Sequence, residues 1–215
     1  MSLSISHPST AIIILGGGES RRLGRPKQTL SYRGDFLINH AIRAALGTKP
    51  ALCKLVLGAN AEVIRQILIP WQSLGIVNCD DWKSGMGASI QCGMSQLPDC
   101  ITQVILMVGD QPFVDSFLLT KLLEKAASAQ TQLTCCAYGD EVGVPALFGK
   151  KYFHQLRNLE GKGGAKKVLK KHINDLITVP FPKGVVDVDT EKDYRALLKE
   201  DWGYFDKKTS SKVMD

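Results

Sequence analysis

Two short apolar runs constrain the fold of this chain more than any other feature of its sequence. Residues 10–15 (TAIIIL) and 104–108 (VILMV) are almost entirely apolar and rich in branched side chains. Such runs are typical of strands that are covered on both faces in a parallel sheet. Apolar residues also recur at helical spacing, as in residues 36–46, and strands that alternate with helices indicate an α/β protein. We therefore expect a three-layer α/β/α fold with a mainly parallel, Rossmann-like sheet.

The same patterns predict the remaining elements. Further strands are expected at residues 52–57, 75–78, 133–138, 145–148, 176–179 and 185–188. Further helices are expected at residues 61–69, 89–97, 164–172 and 190–199, with one more after Asp115. Asn60, Asp115 and Thr190 are the predicted N-caps, and Asp193 forms a near capping box with Thr190.

Length and composition limit the domain organisation. The chain has 215 residues, of which 44% are hydrophobic and 22% are charged, and this favours one globular domain over disorder. We expect this domain to span residues 1–202, with a small subdomain at residues 139–184 and a polar C-terminal tail at residues 203–215. No run approaches the roughly 18–20 apolar residues of a membrane helix, and residues 1–10 show no secretory signal. A cytoplasmic protein that does not bind a membrane is expected.

The cysteines and the net charge narrow the ligand classes. Six cysteines are scattered without a CxxC pair, so reduced thiols are expected. Cys135 and Cys136 are adjacent in a predicted strand, and their side chains should therefore point to opposite faces of the sheet. The formal net charge of +6 suits anionic ligands such as nucleotides, phosphates or nucleic acid, without choosing among them.

A glycine-rich turn follows the first predicted strand, where residues 15–27 read LGGGESRRLGRPK. Ligands bind beyond the carboxyl ends of parallel strands, and glycines there let backbone N–H groups approach a phosphate. Arg22 and Lys27 can add charge-assisted contacts. The turn is not a P-loop, because five residues separate Gly18 from Gly24, and it is not a GxGxxG fingerprint, because Arg21 stands at the last position. The spacing predicts an anion site rather than a plain turn with two solvated cations.

The spacing of Ser20, Arg22, Gly24 and Lys27 resembles a family signature. The match is to GxSxRxGxxK of the nucleotidylyltransferases that share the nucleotide-diphospho-sugar transferase fold, close to the branch of molybdenum-cofactor cytidylyl- and guanylyltransferases. The resemblance covers about residues 10–200. It implies that Ser20 and Arg22 contact the phosphates and that Lys27 contacts the α-phosphate. It also implies that base and sugar lie against the backbone of Leu15, Gly16, Gly17 and Gly18.

Candidate metal ligands follow two predicted strands. Asp110 comes directly after the run 104–108, at the sheet edge where ligands bind, and a carboxylate near a triphosphate suits Mg²⁺; a turn or N-cap role is the alternative. Asp187 and Asp189 share a face if their segment is extended, with a helix-capping turn as the alternative. The resemblance continues here through GDQP and DVDT, and it implies that Asp110 and Asp189 bind the metal. Glu191-Lys192 replaces the family's Pro-Glu after this motif.

Two further segments resemble the family's nucleotide side. Residues 81–90 (DWKSGMGASI) resemble its DWxxGMxxSI segment, which implies that Asp81, Gly85 and Ser89 face the nucleotide. A glycine loop that leads into a helix is also a general anion site. Gly58, after the second predicted strand, matches the family's glycine-small pair and would approach the base.

The predicted subdomain resembles the family's acceptor side. Residues 143–148 (GVPALF) match its G-x-P-x-L-F segment, and residues 161–166 match its GDxGAR only in part. Lys162 replaces the acid and Lys166 replaces the arginine. The basic stretch at residues 162–171 is either a solvated helix face or attractive for an anionic acceptor.

These features predict a Mg²⁺-dependent nucleotidylyltransferase. A phosphate of the acceptor would attack the α-phosphorus of an NTP and release pyrophosphate, with Arg22, Lys27, Asp110 and Asp189 as the catalytic residues. Alignment and charge neutralisation would be the protein's contribution. The resemblance implies CTP as the favoured nucleotide, molybdopterin cofactor as the phosphorylated acceptor, and a molybdoenzyme that receives the product.

The choice of base and two alternative functions stay open. Cytidylyl enzymes of the branch usually show LAAG and guanylyl enzymes LAGG, whereas residues 15–18 here read LGGG, so GTP is retained beside CTP. A sugar- or alditol-phosphate nucleotidylyltransferase is an alternative, as is a non-catalytic nucleotide-binding module. Nucleic acid is not expected as a partner, because the basic residues are not interleaved with aromatic ones and no nucleic-acid motif is present.

Overall fold

The computed structural model describes residues 7–161 and 163–200. Its strands are β1 (His7–Gly16), β2 (Ser31–Tyr32), β3 (Asp35–Phe36), β4 (Pro50–Leu57), β5 (Leu74–Asn78), β6 (Gln103–Val108), β7 (Leu133–Tyr138), β8 (Glu141–Gly149) and β9 (Ile177–Pro180). Its α-helices are α1 (Leu37–Gly47), α2 (Ala61–Ile67), α3 (Met86–Met94), α4 (Ser116–Ser128), α5 (Phe153–Arg157), α6 (Gly164–Lys171) and α7 (Glu191–Leu198). The expectations for Lys162 and for the tail at 203–215 fall outside the described residues. The boundary of the domain at residue 202 stays a prediction.

Seven strands form one sheet in the order β5-β4-β1-β6-β8-β7-β9, and β2 and β3 form a separate hairpin. β1 pairs in parallel with β4 and β6, and Leu15 lies opposite both Val56 and Val108. β5 and β9 pair in parallel with β4 and β7, whereas β8 runs antiparallel to β6 and β7. Six of the seven strands therefore share one direction. This confirms the mainly parallel sheet and brings six carboxyl ends to one edge, where ligands bind in such folds.

Apolar cores lie on both faces of this sheet. One core packs Ile12 and Ile14 of β1 against α1, α2 and α4, and the other packs Ala11 and Ile13 against α3, α5 and α6. Successive residues of β1 alternate between the two cores, because strand side chains point to opposite faces in turn. Burial on both faces explains the nearly unbroken apolar run at residues 10–15, and the three-layer prediction is confirmed.

The cysteines fit the same layering. Cys135 and Cys136 belong to different cores, as their adjacency in a strand predicts. All six thiols are free. Burial raises the pKa of the Cys53 thiol to about 12, so this thiol stays protonated at neutral pH.

The helices of the described part of the chain are all too short or too polar to cross a bilayer. The longest of them, α4, has 13 residues, whereas a spanning helix needs roughly 20.

The predicted strand at residues 185–188 is wrong. The chain forms a 3-10 turn at Pro182–Val185 and then has no regular structure up to Asp189. Val186 and Val188 are buried in a third, smaller core together with Leu197 of α7. Val186 and Val188 are more buried than Val185 and Asp187, and this alternation imitates the pattern of a strand. Its cause is an extended segment that packs two valines into the small core and does not pair with the described strands.

Several predicted boundaries and caps differ in detail. α3 begins at Met86 rather than at residue 89, after Gly85 in a left-handed conformation with φ of 109°. Asn60 precedes α2 without capping it, and its Nδ2 instead donates to the Gly18 carbonyl oxygen at 3.4 Å. The Asp115 cap is confirmed, since its carboxylate accepts from the N–H of Leu118 at 2.8 Å.

Candidate functional site

The glycine-rich turn after β1 folds back on itself through Ser20. The Ser20 carbonyl oxygen accepts from the backbone N–H groups of Leu23 and Gly24 at 3.1 and 3.2 Å. Its Oγ accepts from the backbone N–H of Lys27 at 3.1 Å. Ser20 and Gly24 have positive φ angles of 55° and 73°. Glycine adopts this region without strain, which explains the residue type at Gly24. The closed turn returns the Lys27 side chain to the end of β6, where its Nζ lies 3.8 Å from Asp110.

Gly58 holds the loop after β4 against this turn. A Cβ at Gly58 would lie 2.8 Å from the carbonyl oxygen of Gly17 and 2.8 Å from Cβ of Trp82. The next residue, Ala59, donates its backbone N–H to the same Gly17 oxygen at 3.2 Å. Only a residue without a side chain fits here, so Gly58 allows the glycine-rich turn and Trp82 to pack closely against the loop after β4.

A cavity of about 540 Å³ opens between the turn, the loop before α3 and the end of β6. Among the residues that line it are seven of the predicted nucleotide-site residues, Leu15, Gly17, Gly18, Ser20, Gly85, Ser89 and Asp110. Gly16 is buried within the sheet opposite Leu57, and the Asp81 carboxylate accepts from Ser84 Oγ at 2.6 Å. These two predicted residues, like Gly58, lie next to the cavity without lining it.

A second cavity of about 370 Å³ adjoins the first and shares Gly18, Ser20, Arg21, Gln28 and Asp110 with it. Its remaining lining residues are Arg22, Lys27 and Asp189. The four residues that the sequence predicts as catalytic therefore line one cavity, although Asp189 is far from the others in the chain.

Lys27 stands among three carboxylates, and we name these four residues the Lys27 cluster: Lys27, Asp110, Asp187 and Asp189. Lys27 Nζ lies 2.5 Å from Asp189 Oδ1, 3.2 Å from Asp187 Oδ1 and 3.8 Å from Asp110 Oδ2. A second cation, Arg22, contacts the other oxygen of Asp189 at 3.0 Å. The side chains of Lys27 and Asp189 are only 15% and 11% exposed, so their attraction is weakly screened by solvent.

Burial and charge act in opposite directions on the pKa values of the cluster. Burial lowers the pKa of Lys27. The carboxylates of Asp110 and Asp187 and the hydrogen bond to Asp189 raise it by more than burial lowers it, so the pKa ends well above its usual value. For Asp110, burial raises the pKa, Lys27 opposes this effect and Asp187 adds to it, so that the pKa ends above its ordinary value. Lys27 is therefore charged at neutral pH, and Asp110 ionises less readily than an exposed aspartate.

Asp193 fixes the backbone that carries Asp189. Its Oδ2 accepts from the N–H groups of Asp189 and Thr190 at 2.9 and 2.8 Å, and its own N–H donates to Thr190 Oγ1 at 3.2 Å. The predicted capping box of α7 is thus confirmed. One carboxylate therefore caps the helix and sets the direction of the Asp189 side chain towards the cavity.

Gln28 and Asp187 belong to the site, but the sequence patterns did not predict the contacts that they make there. Gln28 is 3% exposed; its Nε2 donates to the Gly16 carbonyl oxygen at 3.2 Å, and its Oε1 has no hydrogen-bond partner among the described residues. A lone glutamine beside a lysine matches no motif, so no signal could have found it. Asp187 did give a signal through its spacing to Asp189, but its contact with Lys27 could not be inferred from that spacing.

Of the two lysines that the sequence places on the acceptor side, only Lys166 lies in the described residues. α6 buries Ala165, Val168 and Leu169, and Lys166 on its other side pairs with Glu141 at 2.6 Å. Both members of this pair are more than a third exposed, which is the environment of a surface ion pair of small energy. Lys166 therefore fits the solvated-face alternative.

The donor set of the Lys27 cluster suits a hard divalent cation. No group of three or more His, Cys, Asp or Glu side chains in residues 7–161 and 163–200 has the geometry of a ready-made metal site. Mg²⁺ does not need one, because it keeps several waters and takes one or two carboxylates together with substrate phosphates. Asp110 and Asp189, which line the same cavity, can supply two such carboxylates. The residues present therefore fit Mg²⁺.

The sheet topology and the position of both cavities at its carboxyl edge are those of an α/β domain that binds its ligand at the carboxyl ends of its strands. The chain belongs to the MobA-like NTP transferase domain family, whose model matches residues 12–176.

Solved structures and curated proteins extend this likeness. Rv0371c of Mycobacterium tuberculosis H37Rv is 29% identical, with a TM-score of 0.78 over 91% of this chain and 100% of that one. A structure of Rv0371c in complex with manganese is also similar, at 26% identity and a TM-score of 0.75 over 90% of this chain and 100% of that one.

Two curated relatives match over shorter stretches. The bifunctional protein GlmU of Kineococcus radiotolerans is 32% identical over 127 residues, which are 58% of this chain and 26% of GlmU. The nicotine blue oxidoreductase of Paenarthrobacter nicotinovorans is 34% identical over 119 residues, which are 54% of this chain and 56% of that protein. The chain thus spans about a quarter of the length of that GlmU relative.

Proposed function

We propose that this protein transfers a nucleoside monophosphate from an NTP to a phosphate-bearing acceptor and releases pyrophosphate. The observation that carries the proposal is the Lys27 cluster, which adjoins the cavity at the glycine-rich turn. In this proposal the base and sugar lie in the larger cavity, against Leu15 and residues 16–18. The triphosphate extends past Ser20 into the smaller cavity, where Arg22 and Lys27 are located.

Four charged residues of the smaller cavity have a role in this reaction. Arg22 and Lys27 present positive charge to the α-phosphate, where negative charge develops in the transition state. Asp110 and Asp189 would hold Mg²⁺, which polarises the α-phosphate and offsets the repulsion between two anionic substrates when it is bound. Asp193 keeps the Asp189 backbone in place.

The reaction needs no general base. The attacking phosphate of the acceptor is already ionised at neutral pH, so no proton has to be removed from it. In agreement with this, no histidine among the described residues lines either cavity. Alignment of the two substrates and neutralisation of their charge are then the main contributions of the protein.

We further propose CTP as the nucleotide and a molybdopterin-type cofactor as the acceptor, with a molybdoenzyme that receives the product. The GMGASI, GDQP and DVDT segments support this choice. Gly17 stands at the position where cytidylyl and guanylyl enzymes of the branch differ, and a Cβ there would lie 3.3 Å from Ser89 Oγ and 3.4 Å from the Gly58 nitrogen. A higher kcat/KM with GTP than with CTP would overturn the choice of CTP.

The test measures pyrophosphate release from protein, Mg²⁺, each NTP and a panel of acceptors. The panel contains molybdopterin cofactor, sugar phosphates and alditol phosphates, so that the acceptor classes compete directly. Asp110→Asn and Asp189→Asn should each lower kcat/KM by on the order of 10²-fold or more, because each removes a ligand of the catalytic cation. Glu124→Gln, an exposed carboxylate on α4, is the matched control and should keep wild-type activity.

Two results would contradict the proposal. Full activity in both aspartate variants would show that these carboxylates do not hold the cation. Mg²⁺-dependent NTP binding without pyrophosphate release for any acceptor would favour a binding module over an enzyme.

A further inference from the structure

The Lys27 ammonium occupies the point where three carboxylates converge. Lys27 Nζ donates hydrogen bonds to Asp189 Oδ1 at 2.5 Å and to Asp187 Oδ1 at 3.2 Å, and Asp110 Oδ2 lies 3.8 Å away. The Lys27 side chain is 15% exposed, so this point is inside the crevice. A compact positive group surrounded by carboxylate oxygens has the surroundings that a small hard cation prefers.

The charges of the site explain why Lys27 is held there. Three carboxylates this close to one another repel strongly where little water separates them. Lys27 contacts all three, whereas Arg22 reaches Asp189 from a position where its own side chain is 73% exposed. Lys27 is therefore the group that offsets the mutual repulsion of these carboxylates in the nucleotide-free protein. Asp110 and Asp189 line the smaller cavity, and Asp187, whose side chain is 47% exposed, lies beside it.

We propose that Lys27 is the resident counter-ion of the three carboxylates, so that the divalent cation enters together with the nucleotide and not before it. This inference rests on the proposed function, because it takes Asp110 and Asp189 as the residues that hold the cation. In the nucleotide-free protein, a cation between these carboxylates would meet the Lys27 charge at contact distance. The nucleotide changes this balance, since its α-phosphate is a new anionic partner for Lys27 and draws the ammonium away from the carboxylates.

The experiment measures Mn²⁺ binding to the full-length protein by water-proton relaxation, which rises when the ion joins a slowly tumbling protein. Wild type should bind Mn²⁺ alone weakly, and saturating α,β-methylene CTP or GTP should tighten the binding on the order of tenfold or more. Lys27→Met removes the charge and keeps a long unbranched side chain. This variant should bind Mn²⁺ alone on the order of tenfold more tightly than wild type.

Two control variants separate the charge from other effects of the substitution. Lys27→Arg keeps the positive charge and should keep the weak binding of Mn²⁺ alone. Lys121→Met removes a lysine on α4 that contacts Phe117 and should bind Mn²⁺ as wild type does. If Lys27→Met does not fold, the wild-type measurement still decides, because tight binding of Mn²⁺ to the nucleotide-free wild type overturns the inference.

Failure of the inference and failure of the proposed function give different results. If Asp110→Asn and Asp189→Asn bind Mn²⁺ with the nucleotide as tightly as wild type, the metal assignment of the proposed function is wrong. If these variants lose that binding but Lys27→Met binds Mn²⁺ alone no more tightly than wild type, only the counter-ion role of Lys27 is overturned.

Discussion

Replacing Asp193 with alanine should destabilise the protein and weaken the proposed cation site, although Asp193 lines neither cavity. The side chain is 1% exposed and lies in the first turn of α7. Its Oδ2 accepts the backbone N–H groups of Asp189 and Thr190 at 2.9 and 2.8 Å. The substitution leaves both donors without this partner and frees the segment that presents Asp189 to Lys27.

The magnitude follows from these two hydrogen bonds. A hydrogen bond to a charged group contributes about 1.5–3 kcal/mol to stability, so two of them set the upper end of the loss. Removing a buried carboxylate also removes its desolvation cost, which offsets part of that loss. We therefore expect Asp193→Ala to lower the free energy of unfolding by about 2–4 kcal/mol and Tm by about 6–12 °C.

Urea unfolding followed by circular dichroism measures this change. Asp193→Asn keeps an acceptor oxygen without the charge and should lose roughly half as much. Glu124→Ala, an exposed carboxylate on α4, is the control and should stay within about 0.5 kcal/mol of wild type. The affinity of folded Asp193→Ala for Mn²⁺ with nucleotide should also fall. If Asp193→Ala lost less than about 1 kcal/mol and matched Glu124→Ala, the reasoning would be refuted.

Three further predictions concern the site. Asp110→Asn should raise Tm at neutral pH while it lowers kcat/KM. The pKa of Asp110 is raised in the folded protein, so ionisation of this carboxyl lowers the stability of wild type as the pH rises from the ordinary pKa through the folded value. Asparagine does not ionise and avoids this loss. The difference in Tm between variant and wild type should therefore shrink as the pH is lowered towards about 4. Gly58→Ala should cost about 1–3 kcal/mol in urea unfolding, because its Cβ would overlap Gly17 and Trp82; Gly75→Ala, whose Cβ would have 3.6 Å of room, is the control and should change stability by less than about 1 kcal/mol. Nucleotide should quench the fluorescence of Trp82, which lines the larger cavity, so Trp82→Phe should lose the quench and Trp71→Phe, in a separate groove, should keep it.

The parts of the fold that the sequence predicted are those set by neighbouring residues. Burial of a strand on both faces leaves a continuous apolar run, and this is why residues 10–15 and 104–108 could be identified. The Thr190–Asp193 box could be identified too, because its partners are three residues apart. The same local pattern was misleading at residues 185–188, where Val186 and Val188 alternate to reach a small core that only the tertiary structure forms.

The composition of the site depended on contacts that no local pattern contains. Lys27 and Asp189 are 162 positions apart, and nothing in either segment specifies that the ammonium lies between the carboxylates. The resemblance to the family's motifs implied that each residue belongs to a site. Their mutual charge balance could be read only from the folded protein. The same holds for Oε1 of Gln28, which has no hydrogen-bond partner in the part of the chain that the structure describes.

This charge balance explains why a cation site in this protein need not be preformed. If Lys27 carried no charge, the three carboxylates would repel one another more strongly in the nucleotide-free state and would attract any abundant divalent ion. With Lys27 among the carboxylates, that repulsion is offset inside the chain, and the cavity becomes suited to a divalent cation only when a phosphate competes for the lysine. A site of this kind links cation binding to the presence of the nucleotide, so that the charge needed for the reaction is assembled only where a nucleotide is bound.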